Sequence, residues 1–177
     1  MKRAVHLVRR FFGSLSRRAP STEDDAWARR TLGPDPYALW SRMPNHDRRH
    51  SIAVARRVDR ALRGTDHAGD DRWLAAALLH DVGKLDARLG VFGRVGATLA
   101  GAAAGHEMAD VWSGKRGITR RVGLYLRHPE LGADHIAVAG GPDVAVRWAA
   151  AHHDRAAWDA TGIPAPVLTA LHDADDD

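Results

Sequence analysis

The chain has 177 residues, enough for one compact domain with a sizeable core and too few for two comfortable ones. It contains no cysteine, which excludes disulfides, thiolate zinc sites, iron–sulfur clusters and cysteine nucleophiles, so any metal must be held by nitrogen and oxygen. Lys and Arg number 26 against 22 Asp and Glu, for a net charge of +4, and no basic stripe interleaved with aromatics points to nucleic acid; the 11 histidines are the informative feature.

Residues 1–20 read as a basic amphipathic segment, set apart from one domain over residues 21–177. Arg9–Arg10 interrupts the apolar stretch, which argues against a signal peptide. As a helix, residues 1–18 place Val5, Val8, Phe12 and Leu15 on one face. Such a helix either frays or docks on the core, or it makes peripheral contact with an anionic membrane surface. No apolar run approaches the roughly 20 residues needed to span a bilayer. A cytoplasmic location is expected, with membrane contact limited to that segment.

The domain reads as all-α throughout. Ser21–Thr22 before Glu23, Asp24 and Asp25 is an N-cap with an acidic first turn, and the helix it opens should end near Gly33–Pro34. A second runs from about Pro36 to Met43 and is broken by Pro44–Asn45. Ile52, Ala55 and Val58 recur at helical spacing between Asp47 and Leu62, and Gly64–Asp70 is a polar loop. Arg72–Asp81 is apolar on nearly every side and reads as a buried central helix ending at Gly83. Ala87–Ala104 is expected to be one helix. Ile118–Arg127 follows, then a helix opened by Pro129, then Val144–Asp154, then a last short helix carrying Asp173 and Asp175.

Histidines recur at His50, His80, His128 and His152–His153, each in or at the end of an expected helix. Helical bundles build metal sites from such inward-pointing side chains. At the centre lies His80-Asp81-Val82-Gly83-Lys84. An ionised Asp at the end of an apolar segment costs several kcal/mol unless a cation or several donors compensate. Lys84 stands one turn from both His80 and Asp81, placed to hold an anionic oxygen beside a metal. Gly83 permits close approach of backbone or substrate.

The string HDVGK, with an upstream histidine and a late aspartate, resembles the HD superfamily of metal-dependent phosphohydrolases. Arg49-His50-Ser51 is similar to the family's first ligand. His128-Pro129-Glu130-Leu131-Gly132 is similar to the HPxxG element of the HD-GYP branch, and His152-His153-Asp154 to its HHE element. Asp159-Ala160-Thr161-Gly162-Ile163-Pro164 resembles a worn DGxGYP. The resemblance spans His50 to Asp175 and implies an HD-type helical bundle with two divalent transition metals, Fe, Mn, Zn, Co or Ni. The first would be held by His50, His80, Asp81 and a late aspartate. Asp175, preceded by alanine as in the family, is preferred to Asp173. Asp81 would bridge to a second metal held by His128 and His152, with His153 completing it or lining the pocket.

The activity implied is hydrolysis of a phosphoester or phosphoanhydride, on a phosphorylated small molecule or a nucleotide, including signalling nucleotides. Two cations about 3.5–4 Å apart share a water whose pKa falls toward neutrality, and the resulting hydroxide attacks phosphorus in line. By that resemblance Asp81 and Lys84 would be the catalytic residues, and Lys84, Arg127 and His153 the substrate contacts. Departures are Ile163 for the motif tyrosine, Ala160 for its first glycine, and His46–Asp47 where the family has an upstream glutamate. They weaken a cyclic-di-GMP assignment and leave the core ligands intact. The rival readings are a metal- or nucleotide-binding regulatory module without turnover, and a di-iron oxygenase on the same fold.

Other histidines read as ordinary surface residues (His6, His67, His135). His46, four residues before His50, is read the same way although its spacing permits metal sharing. His106–Glu107 lacks the second histidine of a zincin, and Gly114–Lys115 lacks the remainder of a P-loop. The tryptophans, Trp73 and Trp148 among them, are expected in the core.

Overall fold

A computed structural model describes residues 18–104 and 107–176. The amphipathic segment read over residues 1–18 therefore falls almost wholly outside the described residues, as does His106. Among the described residues the chain is all helical, with no strand. Helix α1, Thr22–Leu32, starts where expected: Ser21 Oγ accepts the Asp24 amide, and three acidic residues fill the first turn. Helix α2, Pro34–Ser41, follows at once, and Trp40 from it reaches Ser51 Oγ with its indole N–H at 2.9 Å. That buried bond fixes α2 against α3, Asn45–Leu62, next to His50.

Helix α4, Asp71–Leu79, is the structural centre. Every residue from Trp73 to Leu79 is buried, so the helix needs neighbours on all sides, and α1, α3, α10 and α11 supply them. It ends at Leu79 rather than at Gly83. His80–Gly83 forms a tight turn, closed by the Val82 amide on Leu79 O and the Lys84 amide on Asp81 O. The turn leads to the one-turn helix α5, Lys84–Ala87.

The single helix expected over Ala87–Ala104 is interrupted. Arg88 adopts a left-handed conformation (φ 48°), and α6 starts only at Val91, running to Ala104. Helix α7, Glu107–Ser113, was not anticipated. Helix α8, Gly117–Leu126, packs on α5, α6 and α7, and a small satellite cluster of Ala87, Leu89, Ala97 and Leu124 holds this layer together. Helices α9, His128–Val138, and α10, Asp143–Ala151, form a hairpin beside α4. Two 3-10 turns, Arg155–Ala157 and Asp159–Thr161, lead to α11, Ala165–Asp176, which packs on α3.

The main core runs from Ala28 to Ala174 and includes Trp40, Trp73, Trp148 and Trp158. In the worn glycine motif, Gly162 keeps a left-handed φ of 63°, whereas Ala160 lies in a 3-10 turn that tolerates a side chain.

Candidate metal centre

Three of the histidines sit where a helix or turn ends and use the same device. His80 Nδ1 donates to Ala77 O at 2.9 Å, His128 Nδ1 to Tyr125 O at 2.7 Å, and His152 Nδ1 to Ala149 O at 2.8 Å. A helix end leaves its last carbonyls without intrahelical partners, and a histidine three residues on satisfies one of them. Because a carbonyl only accepts, each Nδ1 carries the proton. In the neutral ring, Nε2 is then left as a lone pair, the tautomer a metal ligand needs.

Those three Nε2 atoms converge. His80, His128 and His152 are buried, their ring centroids 5.4 Å apart for His80–His152 and for His128–His152. Asp81 lies between them, with Oδ2 3.4 Å from His80 Nε2 and Oδ1 3.5 and 3.8 Å from His128 and His152 Nε2. The three Nε2 atoms and Asp81 Oδ1 are buried without a hydrogen-bond partner. Four converging polar atoms left unsatisfied inside a core are costly unless a ligand completes them.

Two groups of ligand atoms, each within 4.8 Å of one another, flank Asp81: His50, His80 and Asp175 on one side, His128, His152 and His153 on the other. Asp175 Oδ1 is 2.9 Å from His50 Nε2 and 3.6 Å from His80 Nε2. Asp173 instead points away, exposed on the outer face of α11 beside Arg57 and Arg60. Arg57 Nη1 donates to Ala174 O at 3.1 Å, which steadies the turn that presents Asp175.

The electrostatics register a shortage of positive charge. Burial works against ionisation of Asp81, yet the His80 and Lys84 charges outweigh it and hold the carboxyl well below its usual range. Asp175 is depressed likewise, with His80 and His50 overcoming its burial. Burial disfavours a charged His80, but Asp81 and Asp175 together raise it to about 10. A proton on His80 thus meets a demand that a cation would meet. Burial lowers His50, His128 and His152, and it brings His153 down to about 4 with help from His128. These rings stay neutral and able to coordinate at ordinary pH.

The floor of the site is closed and its rim is open. Side-chain exposure is 1% for His80 and His152 and 4% for Asp81, against 23% for His50, 20% for Asp175 and 15% for Lys84. His153 is exposed. Lys84 reaches Asp81 Oδ2 across the turn, not along a shared helix, because α4 has already ended.

Not every expected residue joins the site. Arg127 Nε instead pairs with exposed Asp110 at 3.0 Å and Glu130 at 3.7 Å. Asp154 caps the following turn through the Ala156 amide. His46 packs on Asp47 at 3.2 Å and is not one of the clustered ligands. His135, read as an isolated surface histidine, meets Asp86 at 2.7 Å.

Some neighbours were missed. Arg94 forks onto both oxygens of buried Asp47 at 2.7 Å and fastens α6 to α3 near the rim. The Tyr125 ring stacks on His128 at 5.5 Å. Nothing in the local sequence pairs residues 47 apart, whereas an aromatic three residues before a site histidine was visible.

The chain matches no family model, no curated protein and no solved structure.

Proposed function

We propose that the protein is a dinuclear-metal phosphohydrolase, acting on a phosphoester or phosphoanhydride as in the HD superfamily that its sequence resembles. The observation that carries this reading is the set of buried Nε2 atoms of His80, His128 and His152 converging on Asp81, each turned to it by its own Nδ1–carbonyl bond. That donor set of imidazoles and carboxylates suits divalent transition metals.

His50, His80 and Asp175 would hold one divalent cation and His128, His152 and His153 a second, with the Asp81 carboxylate beside both groups. Two divalent cations held there would lower the pKa of a water between them and neutralise charge on a phosphoryl group. The rest falls to the chain. Lys84 presents its ammonium at the rim, where it stabilises the oxygens of a bound phosphate. The buried floor excludes water behind the ligands, and the half-open rim admits substrate.

The test is a panel of phosphomonoesters, phosphodiesters and nucleoside polyphosphates, offered to protein loaded with Mn, Fe, Co, Ni or Zn. Phosphate or alcohol release that vanishes in Asp81→Ala and drops about 100-fold in Lys84→Ala supports the reading. No turnover with any metal, despite full loading, would transfer the site to a binding role.

A further inference from the structure

A second site lies on the outer seam between α3 and α11. Small side chains at Ala61, Ala170 and Ala174 keep the two helices from filling the space between them, leaving a cleft of about 460 Å³. Arg57 and Arg60 line it from α3, one turn apart; Thr169 and Asp173 line it from α11. Arg57 uses one Nη1 hydrogen on Ala174 O, and neither arginine has a carboxylate partner among the described residues. Arg60 and Thr169 are exposed on the cleft.

We propose that this cleft binds a phosphate monoester. Guanidinium forks match the oxygens of a phosphate two at a time, and two of them on one helix face suit a dianion. The Thr169 hydroxyl adds a donor, and the alanine floor receives the carbon skeleton. Asp173 sets the rest of the ligand's chemistry: its carboxylate repels a second anion and accepts a hydrogen bond, so the ester carries hydroxyls beside its phosphate. The cleft shares no residue with the two histidine groups and stands whether or not they catalyse hydrolysis.

Ribose 5-phosphate is the probe, titrated into metal-free full-length protein and followed by amide NMR shifts. Saturable shifts are expected at residues 57–61 and 169–174, weakened about tenfold or more in Arg60→Ala, the loss of one charge-assisted contact. Arg60 is exposed, so the variant folds. Shifts confined to the histidine site, equal affinity in Arg60→Ala, or equal binding of unphosphorylated ribose would overturn the proposal.

Discussion

Gly83 and Gly132 interlock: a Cβ on Gly83 would stand 2.6 Å from the Gly132 nitrogen, and one on Gly132 3.1 Å from the Gly83 nitrogen. The turn carrying His80 and Asp81 thereby docks directly on the first turn of α9, which carries His128. Glycines that read as two separate motifs are one contact, and it sets the spacing across Asp81.

Gly83→Ala should be severely disruptive. The backbone angle is ordinary (φ −64°), so the cost is steric: the new Cβ would sit 2.0 Å from His128 O, and backbone cannot yield as a side-chain tip does. A loss of about 3 kcal/mol or more is expected in urea unfolding. Gly96 is the control. It lies in α6 with open space around its missing Cβ, so Gly96→Ala should stabilise by about 0.5–1 kcal/mol.

The Asp47–Arg94 fork predicts an asymmetry. Asp47 is 5% exposed, so Arg94→Leu leaves a buried carboxylate without its cation and should cost about 3–5 kcal/mol. Adding Asp47→Leu should recover much of that loss, because the stranded charge is then gone. Equal destabilisation in the single and double variants would contradict the assignment.

With metal removed, stability should peak near pH 6.5. His80 has its folded pKa raised from 6.5 to about 10, so its contribution is complete below 6.5 and is lost as pH rises through 10. His50, His128, His152 and His153 are lowered, His153 to about 4; the unfolded chain takes up their protons first, so stability falls as pH drops below 6.5. Urea midpoints of chelator-treated protein at pH 5, 6.5 and 8.5 check this. A midpoint rising steadily from 6.5 to 8.5 would refute the His80 assignment.

The all-α architecture and the histidines that cluster were legible because both are local signals. An N-cap, an apolar run and a histidine at a helix end are each written in a few residues. The break at Arg88 was hidden, since no glycine or proline marks that left-handed position. Asp175 was preferred to Asp173 on the family resemblance alone, and the structure brings Asp175 to His50. Two residues apart on a helix they face nearly opposite ways, and only the packing of α11 on α3 decides which one meets His50. The Asp47–Arg94 pair depends on tertiary placement alone.

The most direct measurement of the central claim is elemental analysis of protein purified without oxygen or chelator, beside His80→Ala and Asp81→Ala. About two equivalents of transition metal are expected in the parent, with Asp81→Ala losing both because its carboxylate lies between the two ligand groups. Metal-free parent protein, or unchanged metal in folded Asp81→Ala, would contradict the account.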